Sequence, residues 1–390
     1  MTPKILKNII THKPLSYDLK LLLAVLFLVG IGIGMVYSAS SALALRGFGS
    51  EYYFLKRQGI FAGFGMLALV FCGHIPLKIY RILIYPALFL CFTLLILIHI
   101  KGFGITAGGA TRWLDLGIIN FQPTEIARLA LVIYLAYSLS KKQKLIKEFS
   151  VGFLPHLIML SVFVVLLIIQ PDFGSIIIFG AITWIMMFVG GVRLKHLFFF
   201  LVACMPIIYY FILNAEYRLK RLLSFLDPFL YPADAGYQII HSLMAFGTGG
   251  ITGAGIGNSY QKLFFLPEPH TDFIFSVIGE EAGLWGVMVV FMLYGIILWR
   301  GISIARNAKD SFGALTAVGI TTALGLQICI NMGVAVGLLP TKGLTLPFLS
   351  YGGTSLVINM ASVGILINIA ADQSSGKAGA VIEDYNSKGQ

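Results

Sequence analysis

About ten stretches of this chain are each long and apolar enough to span a membrane, and most of the polar segments between them are short. The runs fall roughly at 20–42, 58–74, 80–100, 123–140, 150–170, 174–190, 195–213, 273–299, 312–337 and 350–371, where a spanning helix needs about 20 mostly apolar residues. With 58% hydrophobic and 12% charged residues over 390 positions, a water-soluble globule is excluded. The expected fold is an all-α polytopic membrane protein of about ten transmembrane helices, forming one integral membrane domain over 1–390. Residues 1–19 read as a cytoplasmic N-terminal segment, 214–272 as a large extracytoplasmic loop between helices 7 and 8, and the polar stretch 373–390 as a disordered cytoplasmic tail.

The cations orient this array. Lys4, Lys7, Lys13 and Lys20 precede the first run. Lys78 and Arg81, then Lys141, Lys142, Lys144 and Lys147, then Arg193 and Lys195, then Arg300, Arg306 and Lys309 occupy every second loop. Cytoplasmic loops hold Lys and Arg in excess, so both termini are predicted to be cytoplasmic. This bias, together with anionic inner-leaflet lipid, accounts for the net charge of +11. No basic stretch is interleaved with aromatics, which argues against nucleic acid as a partner. The small residues after the first run, SASSALALR at 38–46, resemble a signal-peptide cleavage site, but a full-length apolar segment followed by many more spans reads as an uncleaved helix. Cys72, Cys91, Cys204 and Cys329 lie in or at the ends of apolar runs without metal-ligand spacing, as small buried hydrophobes do.

Three segments on the non-cytoplasmic side are too distinctive to be plain connectors. The first, 101–128, opens with glycines and closes on Pro123 at a plausible first helical position, with Glu125 in that helix's first turn. The second, 214–272, carries Arg218, Lys220, Arg221, the run GTGGITGAGIGN and the stretch FFLPEPHTDFIF at 264–275. The third is LLPTKGLTLPFLSYGG at 338–353. The glycine run fails the G-x-G-x-x-G spacing and follows no βαβ strand, so it reads as an irregular turn rather than a phosphate cradle.

Asp272 stands directly before a long apolar run, where it fits both an N-cap and a catalytic carboxylate. Pro267 and Pro269 stiffen the backbone around Glu268. Glu280 and Glu281 follow about 12 Å further along that helix, at 1.5 Å per residue. Carboxylates at such depth face a wet cavity or a partner. Glu125 and Arg128, spaced i, i+3, can pair on one face, and bracing explains them better than reaction. Arg112, Arg218, Arg221, Lys262 and Lys342 are cations on the side where positive charge is sparse, which points to an anionic ligand such as lipid phosphate or simply to bulk headgroups. On these residues alone, transport and lipid-linked transfer remain level.

The series YSASS, RWLDLG, QPTEIARL, QPDFGS, RLLSFLDP, AGYQIIHSL, LPEPHTDFIFSVIGEEAG and LPTKGLTLPFLSYGGTS, in this order over nearly the whole chain, resembles the SEDS family (shape, elongation, division, sporulation; FtsW, RodA and SpoVE). NSYQK at 258–262 and PTKGLTLPFLSYGG look more like its division branch, FtsW, than its elongation branch, RodA. The resemblance implies a peptidoglycan glycosyltransferase of the bacterial cytoplasmic (inner) membrane that polymerises lipid II with inversion, undecaprenyl pyrophosphate leaving, in septal synthesis. The alternatives are elongation, a lipid II flippase or transporter, and a scaffold. By motif match Asp272 takes the catalytic aspartate position. Arg112, Lys262, His270, Lys342 and Ser350 become substrate-binding candidates, and Glu125, Arg128, Asp172, Glu280 and Glu281 structural or cavity residues. No carboxylate cluster marks a metal site, so the cofactor stays open, with Mg2+ or Mn2+ as the candidates. The implied partners are a class B penicillin-binding transpeptidase, lipid II, other divisome or elongasome membrane proteins and membrane lipids.

Overall fold

A computed structural model describes residues 18–388 apart from 101, 108–109, 116, 118–119, 215, 234–235 and 264. The side chains at 107, 207–208, 211–212, 216–218 and 374–388 also lie outside the description, among them that of Arg218; the stretch 373–390 expected to be disordered has a helical backbone as far as Lys388.

Among the described residues twelve α-helices carry the fold: α1 Leu19–Phe48, α2 Tyr53–His74, α3 Leu77–Leu97, α4 Pro123–Lys141, α5 Leu154–Ile169, α6 Phe173–Val189, α7 Leu194–Leu213, α8 Glu216–Leu226, α9 Tyr237–Gly249, α10 Ile274–Arg306, α11 Ser311–Ala335 and α12 Gly353–Lys388. Each of the ten apolar runs coincides with one long helix. Among the described residues, seven helices are long and apolar enough to cross a membrane, while α6 and the first part of α7 are apolar but shorter. α4 holds the buried polar residues Glu125 and Arg128. The fold is a helical, multi-pass membrane architecture.

Side chains exposed on the outside of the bundle, such as Phe27, Phe71, Phe89, Phe199 and Phe291, are large and apolar. That distribution suits a hydrocarbon surround, in which all backbone groups must bond within the helices. The centre is formed by α4, α10, α11 and α12. α12 packs along α2, and α10 packs against both α11 and α1. Small residues allow these approaches: a Cβ at Gly364 would overlap the backbone of Leu69.

At one end of the bundle Arg300 of α10 grips Asp18 at 2.5 Å, Arg81 pairs with Asp310, and Ser311 donates to Gln143. These are the loops richest in cations. The opposite end carries two features that the all-α expectation lacked. An antiparallel three-stranded sheet, β1 Gly104–Ala107, β2 Ala110–Asp115 and β3 Asn120–Phe121, occupies the segment before α4. α8 and α9 lie inside the 214–272 segment.

α10 is not continuous in its backbone. Gly283 sits at φ 62°, ψ −159°, a conformation reserved for glycine, and breaks the helical ladder. The glycine run expected to be an irregular turn fills that break: Ala254 and Gly255 donate backbone N–H groups to the carbonyls of Glu280 and Glu281 (2.9 and 3.0 Å), and Leu284 N–H donates to Gly250 (3.0 Å). Gly253 itself is at φ 82°, pressed against the Glu281 backbone where a Cβ would overlap. The run is thus a backbone splint for a broken helix.

Candidate active site

The stretch before α10 folds as a strained hook. Glu268 adopts φ 50°, in the left-handed region that non-glycine residues avoid. Its carbonyl accepts the N–H groups of Thr271 and Asp272 (3.3 and 3.2 Å). Its carboxylate accepts the Thr271 hydroxyl at 3.3 Å. The cap position of α10 is Phe273, with no side-chain capping bond. The N-cap reading of Asp272 therefore fails: its carboxylate is not spent on the helix terminus.

Asp272 remains partly exposed while protein surrounds most of it. Burial pushes its pKa up to about 7, the nearby charge of Glu268 adds to the rise, and Thr271 and Arg112 oppose it. The third motif segment covers it, and a Cβ on Gly343 would stand 3.2 Å from Oδ2. The same segment contains Phe348 at φ 68°, a second strained non-glycine residue.

The cations come from two other segments. Arg112, on β2, donates to the carbonyl of Pro171 at 2.9 Å, and its Nε lies 3.7 Å from Asp172. Asp172 caps α6, accepting from Ser175 N–H (3.4 Å) and Oγ (2.6 Å). The side chain of Lys342 lies in the same neighbourhood, beside Gly174. Burial pulls its pKa down to about 8, Asp172 pulls it up and Arg221 pushes it down. Arg112, Asp172 and Gly343 line a small cavity of about 20 Å³ together with Glu125 and Arg128. These two pair at 2.6 Å, and Arg128 also donates to Asn359 of α12 at 3.1 Å.

The structure thus brings together Asp272, Arg112, Lys342 and Asp172 from sequence positions up to 230 apart, with Glu125 and Arg128 sharing the cavity lined by Arg112 and Asp172. It does not bring in the other substrate-binding candidates. Lys262 is buried and turned inward, donating to Glu281 (2.7 Å), Gly257 carbonyl (2.7 Å) and Ser38 (3.0 Å), which uses all three ammonium protons. Ser350 is buried; its hydroxyl accepts Leu346 N–H at 2.8 Å and its carbonyl accepts from Gln58. His270 is wedged between Phe54 and Tyr351 (ring centroids 4.6 and 5.6 Å), its carbonyl accepting Tyr351 N–H at 2.8 Å. Burial lowers the pKa of His270 against the opposing pull of Glu268. All three are held by contacts within the protein.

Glu280 and Glu281, the carboxylates buried within α10, face partners rather than an open path. Glu280 accepts from Ser259 Oγ and from the N–H groups of Tyr260 (3.0 Å) and Gln261 (3.3 Å). Glu281 accepts from Lys262 and, at 2.6 Å, from Ser38 of α1. Sequence reasoning missed Asn331, a fully buried amide on α11 that donates both to the carbonyl of Asp272 (2.9 Å) and to that of Leu344 (2.6 Å). The available signal was an Asn inside an apolar run, where a polar side chain is costly without a purpose. Among the described residues no three His, Cys, Asp or Glu converge as a metal-holding set.

The chemistry open to this arrangement is proton acceptance at Asp272 beside an anion-binding wall. Residues 19–375 match the family model FtsW/RodA/SpoVE, described as cell cycle protein. A relative from Geobacter metallireducens named "Probable peptidoglycan glycosyltransferase FtsW" is 46% identical over 354 residues, covering 91% of this chain and 94% of that one. Stage V sporulation protein E of Bacillus subtilis is 42% identical over 361 residues, covering 92% and 98%. Among solved structures, a chain from work on the structural coordination of polymerization and crosslinking by a peptidoglycan synthase complex aligns with a TM-score of 0.77 at 30% identity, covering 92% of this chain and 99% of that one. The rod shape determining protein RodA of Thermus thermophilus aligns at 0.66 and 27%, covering 92% and 98%.

Proposed function

This chain belongs to the FtsW/RodA/SpoVE family of cell cycle proteins, and from that membership we propose that it is a peptidoglycan glycosyltransferase that polymerises lipid II. The observation that carries the reading is the uncommitted carboxylate of Asp272, raised to about 7, next to a wall of cations at the mouth of a membrane-spanning helix. A carboxylate whose pKa lies near the working pH is a far better base than an ordinary one. In the proposed reaction the acceptor sugar's 4-hydroxyl approaches Asp272, and its oxygen attacks the anomeric carbon of the lipid-linked donor as the proton passes to a carboxylate oxygen. The bond to the lipid pyrophosphate breaks on the opposite face, with inversion. Arg112 and Lys342 meet the charge that develops on the leaving group. Lys342, with its pKa lowered to about 8, is still mostly protonated at pH 7 and keeps that role.

The site lies at the end of the bundle away from the cation-rich loops, which supports an extracytoplasmic active site with both termini in the cytoplasm and about ten spans. Septal synthesis is supported by 46% identity to a relative named FtsW against 27% to a RodA structure. The related chain from a peptidoglycan synthase complex supports a class B penicillin-binding transpeptidase as partner. The flippase alternative drew on the acidic residues inside the membrane, and those are consumed by internal bonds: Glu125 by Arg128, Glu280 by backbone N–H groups, Glu281 by Lys262.

The test is purified protein with its transpeptidase in detergent, given lipid II. Glycan should form with wild type and be lost with Asp272→Ala at unchanged melting temperature. Wild-type rates from a folded Asp272→Ala protein would overturn the assignment of the base. Translocation of fluorescent lipid II in liposomes without polymer would favour transport. Depletion in cells separates the branches: filaments for septal work, rounded cells for elongation.

A further inference from the structure

We propose that Asn331 is a positioning residue that sets the working geometry of Asp272 by clamping two motif segments together through one amide group. The proposal rests on the glycosyltransferase reading above.

Asn331 projects from the last turns of α11, near where that helix ends at Ala335. Its Nδ2 carries two protons, and each goes to the main chain of a different non-helical segment: the carbonyl of Asp272 at 2.9 Å and that of Leu344 at 2.6 Å. The first segment carries the base. The second carries Lys342 and Gly343, whose backbone covers the Asp272 carboxylate closely enough that a Cβ would stand 3.2 Å from Oδ2. Both segments hold a non-glycine residue in left-handed backbone, Glu268 at φ 50° and Phe348 at φ 68°, so neither has a relaxed local structure of its own to return to. Among the described residues the other main-chain tie between them is Tyr351 N–H to His270 carbonyl at 2.8 Å. Removing the amide takes away one of these two ties.

The chemistry of the side chain is narrow. Two converging carbonyls need two protons from one planar group, which Asn supplies at this reach. Ser has one proton, Asp would set an anion against two carbonyl oxygens, and Leu would leave both carbonyls buried and unpaired. The clamp acts on orientation rather than on substrate contact, so its loss should appear in turnover and in the titration of the base. The charged and titratable groups around Asp272 are Glu268 and His270 on its own segment, the latter with its pKa lowered by burial, Arg112 on β2, and Lys342 on the covering segment. A loosened cover admits water and lets the carboxyl fall back toward the ordinary range.

The experiment compares wild type, Asp272→Ala, Asn331→Ala and Asn331→Gln, each with the transpeptidase partner, for lipid II polymerisation from pH 5 to 9, with melting temperature recorded. The expected result for Asn331→Ala is a loss in kcat of about tenfold to a hundredfold, as a roughly 1 Å misplacement of a catalytic group can cause. KM should stay within about twofold, and the acid limb of the pH profile should move below its wild-type position. Asn331→Gln, which keeps both protons on a longer stem, should recover part of kcat. Wild-type kcat and pH profile in Asn331→Ala would overturn the proposal. So would a loss that follows the melting temperature with the acid limb unmoved in both variants, since that is packing alone. If wild type itself makes no glycan, the glycosyltransferase reading has failed; if only the Asn331 variants behave as wild type while Asp272→Ala is inactive, the clamp alone has failed.

Discussion

Two acidic knots lie eight residues apart on one stretch of chain, at 272 and at 280–281, and they are built in opposite ways. Glu280 and Glu281 are buried inside a broken helix, with hydroxyl, backbone and ammonium donors converging on their oxygens. Asp272 stands at the helix mouth without a capping duty, beside the like charge of Glu268 and under a glycine, and its pKa rises to about 7. The difference separates architecture from chemistry. A buried carboxylate held by hydroxyl, backbone or ammonium donors ties elements together. One denied them while substrate can still approach is free to take a proton.

The most drastic way to break the comparison is to remove the base. Asp272→Ala should cost on the order of 10²–10⁴ in polymerisation rate, the usual worth of a general base, with the melting temperature kept. On the other side, Lys262→Met leaves Glu281 buried without its cation and should cost about 3–5 kcal/mol of stability, read as lost folded yield and a lower melting temperature. Adding Glu281→Leu should recover part of that loss, because the uncompensated charge is then gone. Should Lys262→Met instead stay fully stable and lose lipid II binding, the two knots would exchange roles.

The pH dependence sharpens the contrast. With Asp272 near 7, the basic form and hence the rate should fall about tenfold for each pH unit below that value. Stability moves the other way. The carboxyl's folded pKa lies above the unfolded value of about 3.9, so the folded chain holds the proton more tightly. That contribution is full below about pH 4 and is lost as pH rises through 7. Asp272→Asn should flatten the slope of melting temperature over that window. The smallest effect is expected at Ser350, whose hydroxyl only accepts Leu346 N–H. Ser350→Ala should cost about 1 kcal/mol and leave KM for lipid II unchanged, whereas a raised KM would return Ser350 to the substrate wall.

Much of the fold was legible because its signals are local. Each apolar run became a helix, though α10 and α12 extend past their expected ends at 299 and 371 to Arg306 and Lys388, and the i, i+3 spacing of Glu125 and Arg128 formed the expected pair. The three-stranded sheet before α4 was not legible: its strands have four, six and two residues, too short for alternation to stand out among glycines. α8 and α9 were hidden for a related reason, since the segment holding them was read for its charges and glycines. Asp272 was found, but whether it caps α10 was not readable, because capping depends on where the backbone turns, and that falls at Phe273. Lys262 was read as facing a ligand because cations are sparse on that side. Its true partner, Glu281, sits 19 residues away, at a depth that sequence position does not reveal.

By itself the sequence determined the solvent, the positions of the apolar helices, the alternation of their cationic ends and the position of one suspect carboxylate. These follow from transfer free energy and helical rise, which act residue by residue along the chain. Only the tertiary structure decided which charges are spent and which are free. Ser38 meets Glu281 across 243 residues, Asn359 meets Arg128 across 231, and Asn331 draws Asp272 and Leu344 together. The availability of a buried group depends on the donors that reach it, and those arrive from distant parts of the chain once the helices have packed.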